Sequence, residues 1–184
     1  MIETAPFVFS NFWLSRKYGE FMFQVNDMVV YGYSEICEIK KIGVPEFVGG
    51  VDKYYYLRPV GGASTTTLYV KTTNIRKNMR SILREGKAEE LLRRSGSGAS
   101  IYNRDSRIRM KEYTDILYSC DCAKWMGMFL GLWEAKKNKD KAGHGLNIND
   151  KWFLDKVTDC LASELSLALR IPEEEARNKL EQLL

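Results

Sequence analysis

Short apolar stretches separated by turn residues fill the first part of the chain, and they predict β-strands. Apolar, aromatic or β-branched residues dominate residues 28–31, 36–42, 53–58 and 65–70, a composition that is typical of strands. The segments between them carry glycine and proline, which mark turns. We therefore expect residues 22–74 to form a small, curved antiparallel sheet or β-barrel.

After this segment the apolar positions recur at helical spacing instead. Helices are expected over about residues 76–94, 104–118, 122–135 and 150–169, with a short last helix after Pro172. Gly86 should divide the first of these into two short helices. Asn147 precedes Asp150 by three positions, a spacing typical of a helix N-cap. The predicted fold class is α+β, a small antiparallel β-barrel followed by an all-helical domain.

The change of pattern near Asn74 predicts two domains. The first domain would span residues 22–74 and the second, helical domain residues 75–184. Residues 1–21 are rich in aromatic side chains but have no clear period. We interpret them as an N-terminal extension outside the folded unit.

Positive charge is concentrated in one part of the chain. The formal net charge is +4, which alone says little about partners. Residues 76–115 contain eleven Lys and Arg against six Asp and Glu, and a local basic face indicates a polyanion as partner. Arg104, Arg107 and Lys111 are three and four residues apart, so they share a helix face. That row suits phosphate binding or an ordinary solvated face.

Few residue patterns in the chain indicate metal binding or catalysis. Cys120 and Cys122 are separated by a single residue, which is too close for the usual pair of structural zinc ligands. The expectation is reduced thiols in a cytoplasmic protein, without metal or cofactor. Neither a membrane-length apolar run nor a catalytic pair, triad or phosphate loop is evident. We therefore expect a binding protein rather than an enzyme, with no small-molecule substrate and no membrane partner.

Several stretches, taken in order, resemble the CarD/CdnL family of bacterial transcription regulators. Residues 22–31 read MFQVNDMVVY, residues 68–74 read LYVKTTN, and residues 146–151 read LNINDK and lead to LASEL at residues 161–165. Residues 105–121 are similar in length and charge pattern to the helix and turn that open the family's DNA-binding half. The resemblance covers about residues 22–169, and its weight lies in the order and spacing of the motifs.

The resemblance implies a division of labour between the two domains. The first domain, a Tudor- or SH3-like barrel in the family, would bind the β subunit of RNA polymerase. Its polymerase-facing strand would contain Leu68, Tyr69, Val70 and Lys71. The helical domain would contact the backbone of promoter DNA and change open-complex stability. By position, its DNA-binding residues would be Arg107, Arg109, Lys111, Lys151 and Lys156, with Arg104 added from the basic row.

One position departs from the family pattern. The family's helical domain typically presents a tryptophan that wedges into the minor groove, and Ser106 stands at that position here. A serine cannot prop open an unstacked base step, although Tyr102 could substitute from the preceding loop. The alternative is therefore a divergent adaptor that binds polymerase or another protein but has lost DNA wedging.

Overall fold

The computed structural model describes residues 22–32, 35–60, 66–74, 79–95 and 100–183. Within these ranges a five-stranded antiparallel sheet precedes five helices, which confirms the α+β class. The strands are β1 (Met28–Tyr31), β2 (Glu35–Gly43), β3 (Tyr54–Pro59), β4 (Leu68–Lys71) and β5 (Met79–Ser81). The helices are α1 (Glu85–Ser95), α2 (Ser106–Tyr118), α3 (Cys122–Lys141), α4 (Ile148–Leu169) and α5 (Glu173–Glu181). The extension predicted over residues 1–21 lies outside the described residues.

The sheet has the strand order β4-β3-β2-β1-β5, and successive residues of β1 point to its two opposite faces. Val29 packs with Ile39, Tyr55 and Leu57 in a small core of the sheet's own. Val30 belongs instead to the core that the helices form. One face of the sheet therefore covers a small core of its own, and the other face packs against the helical core.

One predicted helix begins later than its sequence indicates. Residues 79–81 form β5, which pairs with β1 in antiparallel register, and α1 begins only at Glu85. The prediction of a helix from residue 76 is wrong there, because pairing with β1 outweighs the helix propensity of these residues. Gly86 lies inside α1 and does not divide it. The domain boundary at Asn74 stays a prediction, but the sheet itself continues past that residue.

The helical core is built around α3, as its apolar sequence predicts. Trp125, Met128, Phe129 and Leu132 on α3 are almost fully buried against α2 and α4. Asn147 caps α4, since its Oδ1 accepts a hydrogen bond from the Asp150 backbone N–H at 2.8 Å, and this prediction is confirmed. α3 is longer than expected, because its helix continues to Lys141.

A buried ion pair joins the sheet to the helices. Arg80 on β5 donates to both carboxylate oxygens of Glu164 on α4, at 2.5 and 2.8 Å. The Arg80 Nε also donates to the Cys120 carbonyl oxygen. Glu164 accepts a further hydrogen bond from the backbone N–H of Leu83, at 2.9 Å. These bonds fix β5, and with it one edge of the sheet, against the helical core.

Candidate functional site

The polymerase-facing strand predicted from the sequence lies at an edge of the sheet. Among the described strands, β4 pairs with β3 alone. Tyr69 is 41% exposed, whereas Val70 is buried in the sheet core and Leu68 is half-buried beside it. Lys71 forms an ion pair with Asp52 at 2.7 Å. Of the four predicted residues, Tyr69 is therefore the one with a large exposed side chain.

Tyr69 is part of an exposed aromatic cluster, which we define as Phe47, Tyr56 and Tyr69. The ring of Tyr69 makes edge-to-face contacts with Phe47 at 4.8 Å and with Tyr56 at 4.9 Å between ring centroids. The Lys41 ammonium lies 5.1 Å from the centroid of Tyr56. Phe47 is 69% exposed and was not predicted as a site residue. Its signal was a large aromatic side chain in a loop that is otherwise rich in turn residues.

The basic row predicted on α2 is exposed, but Arg104 precedes the helix. α2 begins at Ser106 because Asp105 caps it, its carboxylate accepting from the backbone N–H groups of Arg107 and Ile108. Arg104, Arg107 and Lys111 are exposed, and none of them forms an ion pair with another described residue. Their charges therefore remain available to an anionic partner.

Arg109 has a different environment from its neighbours on α2. Its side chain is 4% exposed, and its guanidinium donates to both carboxylate oxygens of Asp150 at 2.9 and 2.8 Å. It also donates to the Asn103 carbonyl oxygen at 2.6 Å. Burial disfavours the charged guanidinium, but the hydrogen bonds to Asp150 outweigh burial and raise the pKa of Arg109. We therefore leave Arg109 out of the candidate DNA surface.

Two residues bear on the wedge: Ser106 stands at the family's wedge position, and Tyr102 was the possible substitute. Ser106 is exposed at the first turn of α2 but has no apolar side chain. Tyr102 is half-buried against the helical core, and the Arg109 guanidinium lies 4.7 Å from its ring centroid. The ring face is therefore already covered within the protein.

Trp152 is an exposed aromatic residue that was not predicted as a site residue. It lies in the second turn of α4 with 47% of its surface exposed, and its ring meets Phe153 edge-to-face at 5.0 Å. Lys156 lies four residues further along the same helix face. Lys151 is exposed one position before Trp152, and so about 100° around the helix. The sequence signal was a tryptophan just outside the apolar stripe of α4.

The first turns of α2 and α4 lie side by side. Arg109 and Asp150 join them within the core, and at the surface the Asn149 side-chain amide donates to the sulfur of Met110 at 3.6 Å. Asn149 and Trp152 are three residues apart on α4, so they share a face. The turns of α2 that carry Arg107 and Lys111 therefore pack beside the turns of α4 that carry Trp152 and Lys156. We call these four residues the α2–α4 surface.

The cysteines do not form a metal site in the described part of the chain, where no cluster of three or more candidate ligands occurs. Burial raises the pKa of the Cys120 and Cys122 thiols, and it raises the pKa of Cys160 to about 12. These thiols are therefore protonated at neutral pH. No helix among the described residues is both long and apolar enough to cross a membrane.

Comparison with known proteins identifies the helical part of the chain. No curated protein matches the sequence. The family model described as CarD, C-terminal domain, matches residues 90–181, which is half of the chain. The match includes α2, α3, α4 and α5 completely, and so all four residues of the α2–α4 surface. The chain belongs to the CarD family of transcription-related proteins.

Proposed function

We propose that the protein is a transcription regulator that binds the β subunit of RNA polymerase through β4 and the backbone of promoter DNA through the α2–α4 surface. The observation that carries the proposal is the family match over residues 90–181. Proteins of this family are regulators that interact with RNA polymerase. The protein would act by changing the stability of the open promoter complex, without catalysing a reaction.

The proposed polymerase contact is supported by the position of β4. An edge strand leaves backbone N–H and C=O groups that a partner strand can bind, and neighbouring side chains then set specificity. β5, the strand at the other edge, is held against the helical core by the Arg80 side chain. The aromatic cluster adds exposed rings beside β4, and aromatic residues often dominate the binding energy of protein interfaces.

The proposed DNA contact is supported by unpaired positive charge. Arg107, Lys111 and Lys156 form no ion pair with a described residue, so no internal carboxylate must be displaced when a phosphate binds. Contacts of this kind do not depend on sequence, and they weaken as salt rises.

Trp152 is our candidate for the aromatic wedge that Ser106 cannot supply. Insertion between base pairs needs an exposed apolar side chain flanked by groups that hold the backbone. Trp152 has this exposure, with Lys156 on the same helix face. Replacing Trp152 by alanine should therefore weaken binding to a forked promoter duplex more than binding to a fully paired duplex. Equal losses on the two duplexes would contradict a wedging role.

Two single variants of the full chain test the two contacts separately. Tyr69→Ala should reduce capture of RNA polymerase core enzyme but leave the affinity for a labelled promoter duplex unchanged. Arg107→Gln should do the reverse, weakening duplex binding in a fluorescence titration while polymerase capture persists. Each variant is the control for the other. Polymerase capture that does not depend on Tyr69, or no capture by the wild type, would refute the proposed polymerase contact.

The second candidate function is an adaptor that binds polymerase without engaging DNA. It is favoured by Ser106 at the family's wedge position and by the covered ring of Tyr102. The same titration distinguishes the two functions. Wild-type protein that captures polymerase but does not bind paired or forked duplex, even at low salt, would establish the adaptor.

A further inference from the structure

The last two turns of α3 carry a cluster of lysines that the DNA-binding assignment does not include. We define this lysine cluster as Lys136, Lys139 and Lys141. The sequence predicted a charged connection after residue 135, but the helix continues to Lys141. Leu132 is the last fully buried residue of α3, and about 10 Å of helix separates it from Lys139. The helix end therefore extends beyond the fully buried core, with Lys141 exposed and Lys136 and Lys139 half-buried.

The charges of this cluster are largely uncompensated. Lys139 and Lys141 form no ion pair within the described part of the chain, and the Lys136 ammonium lies 4.5 Å from the ring centroid of Trp133. Two other lysines, by contrast, are each paired with a carboxylate: Lys87 with Glu90 at 2.7 Å and Lys179 with Glu175 at 3.5 Å. Glu134 and Asp140 are the only acidic residues in the last two turns of α3. The helix end therefore keeps a net positive charge.

The cluster lies at the same end of the helical domain as the α2–α4 surface. Only residues 142–147 connect the end of α3 to the start of α4. The start of α4 is bound to the start of α2 through Asp150 and Arg109. The other end of α2 lies at the start of α3, where the Trp125 indole donates to the Ile116 carbonyl oxygen. Basic side chains from α2, α3 and α4 therefore lie at one end of the domain.

We propose that the lysine cluster is a second phosphate-binding patch, which extends the contact with duplex DNA beyond the α2–α4 surface. The inference rests on the proposed function. The length by which α3 passes the buried core, about 10 Å, is on the scale of the width of a DNA groove. The cluster would therefore bind backbone phosphates next to those bound by Arg107 and Lys111. It would add to affinity without adding sequence preference, since phosphates are the same at every step.

The test is the salt dependence of duplex binding by the full chain carrying Lys139→Gln and Lys141→Gln together. The slope of log affinity against log salt should fall in magnitude by about 1.8, the value for two lost phosphate contacts. The matched control carries Lys87→Gln and Lys179→Gln, which remove the same net charge from paired lysines on α1 and α5. The control should keep the wild-type slope, and circular dichroism should show that both variants are folded.

The outcomes separate this inference from the function on which it rests. If the two double variants have the same slope while Arg107→Gln still weakens binding, the lysine cluster does not touch DNA and the α2–α4 surface stands. If the wild-type protein binds no duplex at low salt, both proposals fail. If the lysine substitutions reduce polymerase capture and leave the DNA slope intact, the partner of the cluster is an acidic protein surface and the inference is overturned.

Discussion

Arg107 and Arg109 are two positions apart on α2, and their surroundings assign them opposite roles. Arg107 is exposed without an ion pair among the described residues, whereas Arg109 is buried with Asp150. From the sequence alone, both were predicted to bind DNA, because both fall in one basic segment. A local signal did exist, since Arg109 is four residues before Tyr113 on the apolar stripe of the helix. Its partner could not be predicted, because Asp150 is 41 residues away in the chain.

Substituting each arginine by alanine should separate stability from binding. Arg109→Ala leaves the Asp150 carboxylate buried and without its guanidinium, so it should lower the free energy of unfolding by about 3–5 kcal/mol. Arg107→Ala should change it by less than about 0.5 kcal/mol, as is usual for an exposed side chain. Urea denaturation of the two variants measures this difference. Equal stabilities would show that Arg109 and Asp150 do not form a buried pair.

The partly buried thiol of Cys160 predicts that stability falls in alkaline solution. The pKa of Cys160 is raised to about 12 by burial, whereas in the unfolded chain it should be about 8.5. The folded state therefore keeps a proton that the unfolded state loses. The contribution of this proton to the free energy of unfolding is complete below about pH 8.5. The free energy of unfolding declines as pH rises above that value, by at most about 2 kcal/mol at pH 10. Denaturation midpoints at pH 7.5 and 10 measure the decline, and Cys160→Ala should make it shallower. A decline of the same size in that variant would contradict the assignment.

At the scale of elements, β5 connects the sheet to the helical core. It pairs with β1 on one side, and its Arg80 side chain reaches Glu164 on α4 and the Trp125 ring on α3. Local sequence could not predict this strand, because its three residues become a strand only through pairing with β1. The start of α4 was predictable, because Asn147 and Asp150 form the cap within a single turn.

Glu164→Ala tests how strongly this connection stabilises the fold. The change removes both the partner of Arg80 and the acceptor of the Leu83 backbone N–H. Arg80 is a quarter exposed, so the loss should lie near the lower end for a buried pair, about 3 kcal/mol. Asp159→Ala, on the same helix as Glu164, breaks an exposed pair with Arg177 of α5 and should cost less than about 1 kcal/mol. Chemical denaturation compares them, and similar losses would mean that the Arg80–Glu164 pair contributes little.

At the scale of the whole molecule, the two proposed partners would bind at separate places, polymerase at β4 and DNA at the α2–α4 surface. β4 and β5 are the opposite edges of the sheet, separated by four strand spacings or about 19 Å. Arg80 attaches β5 to the helices, and β4 is the strand furthest in the sheet from that attachment. Polymerase at β4 would therefore not cover the α2–α4 surface, so one molecule could hold both partners at once.

Apart from β5, the order of strands and helices was predictable because it depends on periodicity within single elements. Which residues form each proposed binding surface could not be predicted in this way. Trp152 and Arg107 are 45 positions apart in the sequence, and only the packing of α4 against α2 places both at the same end of the helical domain. Phe47 likewise becomes a site residue through its contact with Tyr69. Sequence patterns cannot identify residues whose role depends on tertiary contacts between distant segments.

The most direct measurement of the central claim is the lifetime of open promoter complexes formed by RNA polymerase with and without the protein. Wild-type protein should change the lifetime measurably, since it would hold polymerase and DNA together. Tyr69→Ala and Arg107→Gln should each reduce that change, because each removes one of the two contacts. A lifetime that the wild-type protein leaves unaltered, or an effect that both variants retain in full, would contradict the proposal that the protein regulates transcription by bridging polymerase and promoter DNA.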